Sequence, residues 1–464
     1  MAHPKIAIIG GGSYLWGPQF LVDFMLTPEL QAAEIVLHDI DPYALDLVYR
    51  FGQLAKEKLN SSLTLSKTGN RNDAIRDADY VMLTISTGGL EAMRHDLEIP
   101  ARYGIMQPVG DTVGPGGFSR TLRNVPVVAD LARAMERLCP QAWLINYSNP
   151  MTTLTRAAYR TSTVKCIGLC HELQGTYAVL RKTFDLPQDT AFESVVGGIN
   201  HFTWILKLII DGDDGFEFIR SRLPGLPEAA RKSLKFRLFD IHGILPAAGD
   251  RHIAEFLRNV ITPASQDGAA FAKATAARAE FGIKLTSIAD REKWRDDGWP
   301  SSNITGKSQI EKVVNDGGEF APRRSHETVT RIIAALETGV EGVFNVNMPN
   351  AGQIDGLPRD AVVETMARVG SRGITPIPVG PLPASIAGIV AHHVYNQELT
   401  VEAALTGDRR LALQALVNDP LVADLTTAPR MLDQLLEANR SLLPQFFSCP
   451  RADRSAHQNP SGTQ

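Results

Sequence analysis

The chain has 464 residues, 44% of them hydrophobic and 21% charged, with a formal net charge of −4. That size and balance predict two or three domain-sized units around a large core, and the mild acidity with no long basic run excludes the concentrated Lys/Arg patch that nucleic-acid binding needs. No apolar stretch is long enough to span a bilayer, since residues 205–210 are interrupted by Lys207 and end at Asp211-Gly212-Asp213-Asp214-Gly215.

The first residues show no basic region and no small-residue cleavage site, so no signal peptide is predicted. They run straight into the apolar strand Lys5–Ile9 and the turn Gly10-Gly11-Gly12-Ser13. Glycines let a backbone approach a pyrophosphate, and the next helix N-terminus receives its charge. A second strand at 34–37 leads to Asp39, with Asp41 as a competitor. A carboxylate there accepts bonds from ribose hydroxyls, and without a nearby Arg it favours NAD⁺ over NADP⁺. Read as G-x-G-x-x-G, the sixth position is Leu15, and Asp39 comes later than the usual spacing. The motif alone therefore also suits a structural glycine turn.

Further strands are predicted at 80–85 and 142–145, alternating with amphipathic stretches at 44–59 and 125–138. That alternation predicts an α/β, doubly wound parallel sheet over residues 1–195. Tyr147-Ser148-Asn149-Pro150 then follows a buried strand, at the edge where open α/β sheets bind ligands. Asn149 can bond a substrate hydroxyl or a nicotinamide amide, although Asn-Pro equally suits a turn.

Cys170-His171-Glu172-Leu173 follows the apolar Ile167-Gly168-Leu169, and Asn200-His201 sits within 194–210, which predicts one or two long strands. Thiolate and imidazole together suit a borderline transition metal, with coordination positions left open for substrate. The same residues also read as a buried thiol and a hydrogen-bonded core histidine, and their spacing is not that of a zinc finger. Gly249-Asp250-Arg251-His252 reads either as an exposed helix start or as a carboxylate base held ionised by Arg251. Helical patterns at 327–337 and 408–417 give residues 196–450 an α+β character. The polar tail 451–464 is predicted to be disordered. Four cysteines, Cys139, Cys166, Cys170 and Cys449, are too few for a disulfide scaffold and predict a cytoplasmic setting.

Taken in order, Gly10-Gly11-Gly12-Ser13, Gly110-Asp111-Thr112-Val113-Gly114-Pro115-Gly116-Gly117, Asn149-Pro150, Cys170-His171, Asn200-His201, Gly249-Asp250-Arg251-His252 and Asn347-Met348-Pro349-Asn350 resemble glycoside hydrolase family 4 across nearly the whole chain. The resemblance implies a Rossmann-like fold similar to lactate and malate dehydrogenases, with NAD⁺ at Gly10, Gly11, Gly12, Ser13 and Asp39. It implies Mn²⁺ on Cys170 and His201, shared with O2 and O3 of a sugar. Asp250 would be the base that takes the C2 proton, Asp111 its support, and His171 the acid for the leaving group. Asn149, Arg94, Arg251 and Glu172 would contact substrate. The implied reaction oxidises C3, acidifies C2, eliminates the aglycone, adds water and returns the hydride.

His171 resembles branches acting on unphosphorylated α-glycosides. Cys170-His171-Glu172 resembles a Cys-His-Glu-Val variant associated with α-galacturonides, ahead of α-glucosides and α-galactosides. Glu172 would repel a uronate unless a cation intervened, with Arg94 and Arg251 as candidates. A small carbohydrate is the expected partner, in a homodimer or homotetramer. A 2-hydroxy-acid dehydrogenase of the same fold, which would release net NADH, and a non-catalytic NAD-binding sensor are the rival classes.

Overall fold

Short apolar runs make the strands β1 (Lys5–Ile9), β2 (Glu34–His38), β4 (Tyr80–Leu83), β5 (Trp143–Asn146) and β6 (Lys165–Gly168), with the more polar β3 (Thr64–Thr68) beside β2. The computed structural model describes residues 3–261, 281–298 and 304–448; the tail at 451–464 lies outside them. The six strands pair in parallel in the order β3-β2-β1-β4-β5-β6. This is the doubly wound order expected, and its ligand crevice lies where the order reverses, at the carboxyl ends of β1 and β4. All four residues of β4 are buried, because helices cover both faces of the sheet's centre.

Beyond β6 the chain adds antiparallel strands to the same sheet. Gly342–Pro349 joins β6 through Asn347 opposite Gly168, and Val362–Gly370 follows. Then come β7 (Phe192–Ile199), β8 (Phe202–Ile210) and the short Leu245–Pro246. The stretch 194–210 is thus a hairpin. Ile199 pairs with Phe202, which leaves Asn200-His201 as its turn.

The helix predicted at 125–138 runs instead over Gly114–Leu138. Pro126 suggests a break, because it cannot donate to the carbonyl one turn back. Here that carbonyl, Leu122 O, accepts from Gln445 Nε2 at 3.1 Å, so the helix continues through. The glycines at its start are there for contact: a Cβ on Gly117 would lie 2.3 Å from the Thr112 carbonyl carbon.

Asp41 is taken by a helix. Its carboxylate accepts from Tyr43 N and Ala44 N as the N-cap of Pro42–Lys58. Asp41→Ala should lower stability by about 1 kcal/mol while leaving NAD⁺ affinity unchanged; a thermal melt and a fluorescence titration of NAD⁺ check this. Among the described residues no helix is long and apolar enough to cross a membrane, and Cys139, Cys166 and Cys170 are free.

Candidate active site

The glycine turn packs tightly between β1 and its neighbours. Gly10 has φ +89, and a Cβ there would lie 2.1 Å from Thr84 O at the end of β4. Gly10 N and Gly11 N both donate to His38 O. Asp39 Oδ2 accepts from Gly12 N at 2.9 Å and Oδ1 from Asp41 N at 3.0 Å, so Asp39 fixes the turn while each oxygen keeps a lone pair. Ser13 Oγ accepts from Trp16 N at 3.2 Å. Close packing of the following helix falls not to the Leu15 position but to Gly17. A Cβ there would meet Val48 at 2.7 Å and Gly11 O at 2.9 Å.

Trp16, just before that helix, has its ring 5.8 Å from His171, which ties the turn to a second cluster at the ends of β5 and β6. Asp111 lies at its centre. Asp111 Oδ1 accepts from Thr112 Oγ1 at 2.8 Å, and Oδ2 accepts from Asn149 Nδ2 at 3.3 Å. Thr112 Oγ1 is 2.7 Å from His201 Nδ1. The hairpin turn, the Gly110–Thr112 loop and the end of β5 are thereby locked together. Arg120 Nε donates to Asn149 O at 2.9 Å from below.

Cys170 follows β6, with its thiol beside the Asn200 side chain, next to His201. Asn200 Nδ2 donates in turn to the buried Glu364 at 3.3 Å, which also accepts from Thr203 and Asn345. His171 Nδ1 lies 3.3 Å from Glu327. Glu172 accepts from Gly249 N, and its other oxygen is 3.9 Å from His252 Nε2. These side chains are ringed by protein yet keep access to solvent, with 46% of His171, 20% of Glu172, 20% of His252 and 13% of Asp111 exposed. They line a cleft.

The electrostatics follow from that setting. Burial favours a neutral Asp111, but His252, His201, Arg120 and Arg291 outweigh it and hold its pKa well below the carboxylate range. Glu172 is likewise held down, to about 2, by His252, His171 and His201 against the effect of burial. Burial and then the neighbouring His252 push His201 down to about 3, so its imidazole is neutral. His171 goes the other way. Burial opposes its charge, but Glu327 and then Glu172 raise it to about 9. Burial, with Glu364 and Glu172 adding to it, pushes the Cys170 thiol well above its ordinary value.

Three expected substrate or base residues sit differently. Asp250 turns its carboxylate onto a helix N-terminus, accepting from Leu234 N and Lys235 N at 3.0 Å each. The cation beside it is the buried Lys235, not Arg251. Arg251 reaches the other way, because its Nη2 finds Pro108 O at 2.7 Å and Thr286 Oγ1. Arg94 lies on the helix Gly89–Ala101, with its guanidinium at the surface among Glu91, Glu98 and Glu292. No described contact brings it to the Asp111 cluster. The groups that flank Glu172 are the imidazoles of His171, 4.0 Å away, and His252, 3.9 Å away.

Sequence reasoning left several participants unassigned. His252 stacks beside His201 with ring centroids 4.1 Å apart. Glu255, fully buried, accepts from both Val109 N and Gly110 N at 2.7 Å. Their spacing, His252-x-x-Glu255, places both on one face of a helical turn and was the available signal. Arg291, which donates to Val109 O at 2.8 Å, carried no such signal.

The chain is similar to known proteins over most of its length. The chain matches the family 4 glycosyl hydrolase profile over residues 5–186 and the C-terminal domain of the same family over residues 196–422. It is 34% identical to an α-galacturonidase of Bacillus subtilis over 93% of this chain and 97% of that one. It is 33% identical to an α-galactosidase of the same organism over 95% and 99%. A solved Bacillus subtilis structure described as a glucosidase superposes with TM-score 0.82 at 33% identity, covering 94% of this chain and all of the other. A 6-phospho-α-glucosidase from gut microorganisms, solved in complex with NAD and Mn²⁺, shares the fold at TM-score 0.78 and 22% identity over 96% and 100%.

Proposed function

The chain belongs to family 4 of the glycosyl hydrolases, and we propose that it is an NAD⁺- and Mn²⁺-dependent α-glycosidase whose preferred substrate is an unphosphorylated α-galacturonide. The observation that carries this reading is the meeting, at one end of the sheet, of the glycine turn, Cys170, the Asn200-His201 turn and Asp111. The homologous α-galacturonidase supports the sugar, and the fold relative holding NAD and Mn²⁺ supports the cofactors. We place the enzyme in the cytoplasm, where its free thiols stay reduced, as a homodimer or homotetramer.

The residues present fit both groups. NAD⁺ would be held by Gly10, Gly11, Gly12 and Ser13, with Asp39 receiving ribose hydroxyls at the switch point of the sheet. Mn²⁺ would be held by Cys170 and His201. His201 is neutral, and Thr112 occupies its Nδ1, which turns Nε2 to the ion. Together these groups supply hydride exchange at C3 and Lewis-acid stabilisation of charge on O2 and O3.

The protein's own groups do the rest. Asn149 Oδ1 is buried with no described partner and can accept from a sugar hydroxyl, while Asp111 fixes its amide. Asp250 takes the C2 proton. Burial raises its pKa above the ordinary value, and each oxygen has a lone pair beyond its backbone bond. His171, charged at neutral pH beside Glu327, gives a proton to the departing oxygen. His171, charged and 4.0 Å from Glu172, shields a uronate carboxylate from it, which answers the repulsion expected from the sequence.

The test compares kcat/KM for p-nitrophenyl α-galacturonide and α-galactoside with NAD⁺, Mn²⁺ and thiol present. The uronide should win at least tenfold, about 1.4 kcal/mol of transition-state binding, with no net NADH. A tenfold preference for the neutral sugar would make the enzyme an α-galactosidase, as in the second relative. Stoichiometric NADH would make it a dehydrogenase.

A further inference from the structure

Two imidazoles, not one, stand over Asp111. One ligand atom from each of Asp111, His201 and His252 lies within 4.8 Å of the others, a grouping among the described residues that does not include Cys170. We propose that His252 and Asp111 belong to the donor set of the divalent ion alongside Cys170 and His201, so that the protein binds the ion before any sugar arrives. This rests on the metal reading above and adds to it two ligands that a Cys–His pair does not include.

The distances favour a shared ion over a hydrogen bond. His252 Nδ1 is 3.8 Å from Asp111 Oδ1, beyond hydrogen-bond reach. Ligand atoms about 2.1 Å from a common octahedral ion sit about 3 Å apart when adjacent and about 4.2 Å apart when opposite. His252 Nδ1 is also shielded from solvent with no hydrogen-bond partner among the described residues. A buried polar atom left so is costly unless something fills the gap. The surroundings supply the outer support that metal-bound imidazoles need. Thr112 orients His201, and Glu172 lies 3.9 Å from His252 Nε2, on the far side of its ring from Asp111. The grouped donors, two imidazoles and a carboxylate, suit a divalent transition ion.

Pulsed EPR of Mn²⁺ bound to the NAD⁺-loaded enzyme without sugar decides the point, because nitrogen modulation counts coordinated imidazoles. The wild type should show two, and His252→Ala should show one and bind Mn²⁺ at least tenfold more weakly, with NAD⁺ affinity and thermal midpoint as folding controls. His252→Gln should behave as His252→Ala does. A single imidazole in the wild type, or unchanged Mn²⁺ affinity in both folded variants, would overturn the proposal while leaving the Cys170–His201 site intact. Failure of the wild type to bind Mn²⁺ at all would overturn the metal reading itself, and this donor set with it.

Discussion

Cys170→Ser should cut glycosidase turnover by about three orders of magnitude, the equivalent of losing several kcal/mol of Lewis-acid stabilisation. The reason lies in how the thiol is held. Burial, with Glu364 and Glu172 nearby, keeps Cys170 protonated when no cation is present. Only a bound metal makes the thiolate favourable there, so ion and thiolate arise together. A serine oxygen in the same place is a far weaker acid and a harder donor, and it will not ionise to replace the sulfur. Mn²⁺ affinity should fall by about a hundredfold, while NAD⁺ affinity stays within a few-fold, since the glycine turn and Asp39 belong to other segments. A Mn²⁺ titration followed by EPR, a NAD⁺ fluorescence titration and turnover at saturating Mn²⁺ separate these effects. Full Mn²⁺-dependent activity in the variant would remove Cys170 from the site.

The parts of the site that were legible are those where one residue type answers one physical need. A buried strand ending in three glycines and then, one strand later, an aspartate marks a dinucleotide turn, and Asp39 holds that turn through Gly12 N. Cys170 and His201 were visible as a thiol and an imidazole placed just after apolar strands. Less legible were residues whose role depends on the packing of distant segments. Strand β3 reads Thr-Leu-Ser-Lys-Thr, too polar to stand out, because it is the sheet's edge and only part of it is buried. Gly17 replaces the expected third glycine because the helix begins later than the usual motif places it. The direction of Asp250 could not be read from neighbours in sequence. It is set by the helix Leu234–His242, which brings two N–H groups and Lys235 to its carboxylate. Arg94 shows the same limit, since Glu292 comes to it from a helix far along the chain.

Glu255→Gln should make the ligand-free protein more stable at pH 8 while changing little near pH 4.5. Glu255 is fully buried. Burial, then the charge of Asp111, raise its pKa from 4.5 to about 8, against the Gly110 and Val109 N–H groups and Arg291. The folded protein therefore keeps a proton that the unfolded chain releases. This contribution is complete below about pH 4.5, shrinks as pH rises, and is gone once pH passes about 8. The loss is on the order of 4 kcal/mol across that window. Glutamine cannot ionise, yet it can offer Val109 N and Gly110 N the same acceptor that Oε1 gives them at 2.7 Å. The loop that carries Asp111 should stay in place, and the pH-dependent loss should disappear from the variant. Thermal midpoints of wild type and variant at pH 5 and pH 8 measure this. The gap should open in favour of the variant at the higher pH, and a gap that is the same at both would show that Glu255 is ionised throughout, with Arg251 and Arg291 rather than a retained proton balancing its charge.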